Sequence, residues 1–291
     1  MSNVHKIRYR IKSVGKISQI TKAMEKVAAS KRRKAQQATM QSRPYAQSAR
    51  EILADLYVIT GGTEHILFQK RKVKNRLIIL FSSDRGLAGA YNSNLLRKFV
   101  IELQNNPVPT KVIVIGEKAV HFMKRLGTAV EVVGVYTNWP TSPSTTDIQP
   151  IAKTAIDLFT QQAVDQVDVL YTDFITTMQQ KVAIKQLLPI DASMLMTSGS
   201  YLGTTIKHAS FEPSPERVLS FMLPRLLEVQ LYQANLESLA SEHAMRMLAM
   251  KNASDNAVGL VNDLTLTYNS ARQASITQEL AEISAGVAAL E

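Results

Sequence analysis

The chain has 291 residues, 45% of them hydrophobic, and a formal net charge of +10, a composition that fits one or two folded domains rather than a disordered chain. It holds no cysteine, which excludes disulfides, thiolate zinc sites and cysteine nucleophiles and makes an intracellular setting the expectation; no long Arg- and Ser-rich import leader is read at its start, so a bacterial origin is expected. The first ten residues carry charge without a signal-peptide core, and no apolar run approaches the roughly 18 residues that span a bilayer, so neither export nor a membrane span is expected.

The first predicted element carries the whole charge excess. Eleven basic residues lie before residue 37 against the single acid Glu25, while the remainder is balanced. Before residue 59 the only Gly and Pro are Gly15 and Pro44, so a helix over residues 3–57 is predicted, about 80 Å long at 1.5 Å per residue. Val4, Ile7, Ile11, Val14, Ile17, Ile20, Met24 and Val27 recur at spacings of three and four and make an apolar stripe. It continues through Ala28, Ala35, Ala38, Ser42, Tyr45, Ala49, Ile52 and Leu56 with a basic residue at one step, and its small side chains suit a coiled-coil seam. Lys31, Arg32, Arg33 and Lys34 are consecutive. They encircle the helix and intrude on that seam, which points to acids on a partner.

Most Gly and Pro fall in the middle of the chain, where the pattern changes. Leu77–Phe81, Lys111–Ile115, Val130–Tyr136, Val167–Tyr171 and Lys181–Ile184 are short and rich in Val and Ile, as buried strands require. Helices are predicted between them at Asn92–Gln104, Glu117–Leu126 and Asp147–Gln162, giving an open α/β sheet with mainly parallel strands. Residues 137–150, with three prolines, read as a loop.

The last element opens at Ser214 with Pro215 behind it, a cap followed by proline at the first helical position. A helix over 215–288 is predicted, roughly 110 Å long. Its seam runs through Leu236, Ala240, His243, Met247, Met250, Ser254, Ala257, Val261, Leu264, Tyr268, Ala271 and Ser275. The fold class is therefore α/β: a long antiparallel coiled coil of the N- and C-terminal helices plus a central open α/β domain. The domains are expected at 1–58, 75–203 and 212–291, with the last helix overhanging at its carboxyl end.

No catalytic constellation emerges. Ser82 to Gly89 (SSDRGLAG) follows a strand and precedes a helix, where α/β proteins bind phosphates. It is neither GxxxxGK[ST] nor GxGxxG, and a structural turn is the competing reading. His5, His65, His121, His208 and His243 show no metal spacing, so no metal and no cofactor are expected. Met245, Met247 and Met250 read as packing. The basic helix leaves two alternatives open beside a protein partner. A nucleic-acid-binding coiled coil would add interleaved aromatics, of which only Tyr9 precedes Tyr45, and a membrane-surface helix would want bulkier apolar residues.

Three stretches resemble the gamma subunit family of F-type ATP synthases: residues 20–29 (ITKAMEKVAA), 83–92 (SDRGLAGAYN), and 241–257 (SEHAMRMLAMKNASDNA) continuing into 268–289 (YNSARQASITQELAEISAGVAA). The likeness covers essentially the whole chain. Departures are few: Ala88 stands where many members have cysteine, Met245 where alanine is usual, and Val287 where alanine follows the signature glycine.

The resemblance implies a non-catalytic rotor subunit that couples rotation of a membrane c-ring to conformational cycling of catalytic beta subunits, in ATP synthesis or hydrolysis. Its helical pair would enter a ring of three alpha and three beta subunits. Met24 and the run Lys31, Arg32, Arg33 and Lys34 would meet acids of the beta subunit, and Arg272, Gln273, Thr277 and Glu279 would form a catch against a beta-subunit loop. Leu280, Ile283, Val287 and Leu290 would turn in an apolar sleeve. The central domain with residues 204–212, including Glu212, would bind the epsilon subunit and the c-ring. The chain would then lie on the cytoplasmic face of the plasma membrane, touching lipid only through the c-ring and binding no nucleic acid.

Overall fold

The computed structural model describes residues 2–61, 65–127, 130–191 and 211–288. Helix α1 spans Ser2–Ile59, and the last helix, α5, spans Pro215–Ala288. Between them lie β1 (Arg76–Phe81), α2 (Tyr91–Asn105), β2 (Thr110–Ile115), α3 (Glu117–Leu126), β3 (Glu131–Tyr136), α4 (Thr145–Thr160), β4 (Gln166–Phe174) and β5 (Gln180–Leu188). Every element expected from the sequence is present. The last two strands are longer than hydrophobicity alone indicated, because β4 and β5 form a hairpin whose outer end carries polar residues.

The sheet order is β3-β2-β1-β4-β5. β1 pairs in parallel with both β2 and β4, β3 pairs in parallel with β2, and β5 is antiparallel to β4. β1 is buried throughout because both faces of the sheet are covered, as parallel strands require. Leu77, Ile79 and Phe81 face a core built with α4, the end of α1 (Leu53, Leu56) and the start of α5 (Leu219, Leu223, Leu226). Ile78 and Leu80 face the other way, toward Leu95 and Phe99 of α2 and Ala119 and Met123 of α3. A buried ion pair fixes the register of the central strands: Arg76 Nε on β1 lies 2.5 Å from Asp168 Oδ2 on β4, and Gln166 Nε2 donates to the same carboxylate at 2.9 Å.

The segment 137–150 departs from expectation, since α4 already begins at Thr145. The Asp147 carboxylate accepts from the Ser144 N–H (2.7 Å) and from the Ser144 hydroxyl (2.8 Å), which closes the helix start in the manner of a capping box. Pro150 sits inside the helix, one turn past its start, where its ring leaves the Thr146 carbonyl without the usual i→i−4 N–H donor. The serine three residues before an aspartate was the overlooked signal.

The described chain forms two compact units, residues 1–29 with 246–291, and residues 30–245. Each long helix contributes to both.

Candidate functional site: the terminal helices

In the smaller unit α1 and α5 pair through small side chains. Ser18 and Ser254 meet with their hydroxyls 3.5 Å apart, and the Ser254 hydroxyl also reaches the Ser18 carbonyl at 3.4 Å. Thr21 turns its hydroxyl back onto the carbonyls of Ile17 and Ser18, both at 3.0 Å, so it enters the seam without stranding a donor. Ala28, Met250, Ser254 and Ala257 are buried. On α5 the inward residues 250, 254, 257, 261, 264, 268, 271 and 275 alternate steps of four and three, the heptad period of a coiled coil.

On α1 the seam lies one residue away from part of the expected stripe. Ser18, Thr21 and Ala28 face inward, whereas Ile17, Ile20 and Val27 are 52%, 59% and 56% exposed. Tyr45 and Ile52 are likewise exposed, with Ala46 and Leu53 buried in their place. Around Ser18, Thr21 and Ala28 the close approach of the two helices leaves room only for small side chains, so Ile17, Ile20 and Val27 stay on the outer surface, whereas Leu53 is buried because it enters the core under the sheet.

Exposed apolar side chains continue along α5 at Val258, Leu260, Leu266, Ile276, Leu280 and Ile283. Ile276, Leu280 and Ile283 follow at steps of four and three, one stripe of a helix exposed at every described side chain beyond Ser275. Arg272, Gln273, Thr277 and Glu279 are also exposed there. The Thr277 hydroxyl donates to the Gln273 carbonyl at 3.0 Å, and Glu279 accepts from Ser275 at 3.3 Å. Val287 belongs to the helix, and Leu290 lies outside the described residues.

The basic run divides. Arg33 and Lys34 are exposed, while Met24, Lys31 and Arg32 are half-buried. Arg32 occupies a heptad seam position, and its Nη1 donates to Thr177 Oγ1 at 2.7 Å in the turn joining β4 to β5. Its charge is thus partly engaged within the chain.

The Ser82 to Gly89 loop spends its polar groups on the fold. Asp84 accepts from the backbone N–H groups of Glu117 (3.1 Å), Asn138 (3.2 Å) and Trp139 (2.7 Å). It therefore caps α3 with a carboxylate at the place where an anion would have to sit. The Ser82 hydroxyl donates to the Ile115 carbonyl at 2.8 Å and accepts from the Ala119 N–H at 3.1 Å. Gly116, with φ +94°, packs so tightly on Ser82 that a Cβ would collide with its carbonyl. Beside the point between β1 and β4 where the strand order reverses and open α/β sheets bind ligands, α5 is bonded to the outer end of β4: Ser238 Oγ accepts from the Thr172 N–H (3.3 Å) and Ser241 Oγ donates to the Thr172 carbonyl (3.1 Å). Among the described residues no group of His, Asp and Glu could hold a metal ion, and no helix is long and apolar enough to cross a membrane.

A family model described as ATP synthase matches residues 3–290. Curated ATP synthase gamma chains from Herpetosiphon aurantiacus, Chloroflexus aurantiacus and Staphylococcus carnosus are 43%, 41% and 41% identical, each aligned over 100% of this chain and at least 99% of its own length. The chain belongs to the ATP synthase gamma chain family. A chain from the Tetrahymena thermophila mitochondrial ATP synthase central stalk and c-ring superposes with a TM-score of 0.62 at 28% identity, covering 81% of this chain and 99% of that one. A Euglena gracilis mitochondrial ATP synthase chain shares the fold at 20% identity, with a TM-score of 0.68 over 99% of this chain and 95% of that one.

Membership of the gamma chain family makes this a non-catalytic rotor subunit of an F-type ATP synthase, a membrane-associated complex. The alternative of a nucleic-acid-binding coiled coil gains no support from these relatives. The residues expected to meet partners are mostly surface residues of the two long helices. Glu212 is exposed just before α5, and residues 204–210 of the same predicted region lie outside the described residues. The sequence assigns Ile17, Ile20 and Val27 to the seam, whereas they lie on the outer surface. It does not mark the polar contacts of Ser238 and Ser241. The signal for the outward placement was the adjacent alternative register of Ser18, Thr21 and Ala28, which is small and periodic as well.

Proposed function

We propose that the α1–α5 pair of this gamma chain turns inside a ring of three alpha and three beta subunits, while the α/β domain engages the epsilon subunit and the c-ring at the cytoplasmic face of a bacterial plasma membrane. The observation that carries the reading is the row of bulky apolar side chains left exposed on both long helices: Ile17, Ile20 and Val27 on α1, and Ile276, Leu280 and Ile283 on α5. Exposed apolar surface of this extent marks a protein interface, and non-directional apolar contact holds a rotating helix on axis without fixing its angle. Leu280, Ile283, Val287 and Leu290 form the bearing. Met24, Lys31, Arg33 and Lys34, with the charge of the half-buried Arg32, meet the acidic beta-subunit surface, and Arg272, Gln273, Thr277 and Glu279 form the catch.

Coupling follows from asymmetry. The two helices present different side chains in different directions, so each orientation stabilises a different set of beta-subunit conformations. Rotation by the c-ring then shifts the three sites in turn. The test is a double substitution, Leu280→Asp with Ile283→Asp. Two buried charges weaken binding to alpha and beta subunits by at least about tenfold, while the fold of the isolated chain, where both positions are exposed, is unchanged. Unaltered binding contradicts the bearing assignment.

A further inference from the structure

In the larger unit α5 is held by polar contacts rather than by apolar packing alone. Tyr232 Oη donates to the Pro143 carbonyl at 3.3 Å, Trp139 Nε1 donates to Asn235 Oδ1 at 3.1 Å, and Ser238 and Ser241 engage the two backbone groups of Thr172. These positions step by three residues. With about 100° of helix per residue each step moves the contact back by about 60°, so the set spans about half the circumference of α5. A helix gripped on one face by side chains can roll; one gripped around half its circumference cannot roll without breaking a bond.

The β4–β5 hairpin also reaches α1. β1 pairs with β4 only as far as Leu170, leaving the N–H and C=O of Thr172 without a strand partner on that side, and Ser238 and Ser241 supply the missing pairing. Thr172, Ser238 and Ser241 are buried, so each bond is directional and costly to leave unmade. A few residues on, Thr177 receives the Arg32 guanidinium.

We propose that the outer end of β4 is the point at which torque passes between the α/β domain and the terminal helices, with Ser238 and Ser241 fixing α5 to Thr172 and Arg32 fixing α1 to Thr177. This rests on the rotor reading and adds the positioning residues that make the rotor stiff. Apolar contact permits sliding where a bearing is needed. Directional hydrogen bonds oppose it where load enters.

The test uses two variants assembled with the alpha and beta subunits, epsilon and the c-ring: Ser238→Ala with Ser241→Ala, and separately Thr177→Val. Torsional stiffness is read from the angular fluctuations of a bead on the α/β domain, and coupling from ions pumped per ATP hydrolysed in vesicles. The expected result is normal association and hydrolysis, stiffness reduced by about twofold and ions pumped per ATP reduced by about threefold. A merely structural role would lower the melting temperature and leave both mechanical readouts in place. Wild-type stiffness and pumping in these variants overturn the proposal. Thr177→Val, in a surface turn, decides alone if the double variant does not fold, with reduced stiffness supporting the anchorage and wild-type stiffness overturning it. Failure of the unsubstituted chain to associate with alpha and beta is a separate outcome, and it contradicts the rotor reading.

Discussion

His65 begins the short 3-10 turn Ile66–Phe68, and its Nδ1 accepts from the Leu67 N–H at 3.3 Å. Burial pushes its imidazole below the ordinary value, because a charged ring would lose solvation and this acceptor role. The unfolded chain therefore binds a proton near pH 6.5 that the folded chain resists. The stabilisation is fully present above that pH and is lost as pH falls toward the lower folded value. Melting temperatures of the wild type and of His65→Asn, which keeps a capping oxygen, should diverge accordingly: the wild type loses more stability than the variant between about pH 7.5 and pH 5.5. Equal losses would show that the ring does not titrate against the fold. None of this was legible in the sequence, where His65 was one of five histidines without metal spacing. The Ser82 to Gly89 loop was half legible: its place between strand and helix could be read, but both a phosphate site and a turn fitted. Asp84 decides it, because a carboxylate bonded to three backbone N–H groups can be recognised only once α3 and Trp139 are in position.

At the scale of elements, the two long helices show when periodicity can be trusted. The α5 seam through Ser254, Ala257, Val261, Leu264, Tyr268, Ala271 and Ser275 is the one the sequence indicates, because the chain offers a single small and apolar register there. On α1 two registers compete, one bulky (Ile17, Ile20, Val27) and one small (Ser18, Thr21, Ala28). Hydrophobicity favours the first, and close approach of the backbones selects the second. The structure makes opposite predictions for neighbouring substitutions in the isolated chain. Ala257→Leu overpacks the seam and should cost about 1–3 kcal/mol, whereas Ile17→Ala, at an exposed position, should stay within about 0.5 kcal/mol. Denaturant unfolding of both variants checks this, and a reversal of their order would place the seam on the other face. The sheet was legible for a similar reason: β1 and β2, buried at its centre, are continuous apolar runs, while the outer halves of β4 and β5, beyond the core, carry no such mark.

For the whole molecule, sequence physics reached a basic coiled coil attached to an α/β domain, and the choice of partner came from likeness to gamma chains. The fold adds a division of labour that neither supplies. Small residues close the helix pair, bulky apolar ones lie on its outer surface, and hydrogen bonds at the outer end of β4 and in the turn after it tie both helices to the sheet. These features suit a body that must be stiff along its load path and free to turn against its surroundings. The central claim is most directly tested by mixing the chain with alpha and beta subunits of the same source, isolating the complex, and measuring its stoichiometry and ATPase activity with and without the chain. The account predicts one copy per three alpha and three beta subunits with altered turnover. Assembly of alpha with beta while this chain remains unbound, with turnover unchanged, would contradict it.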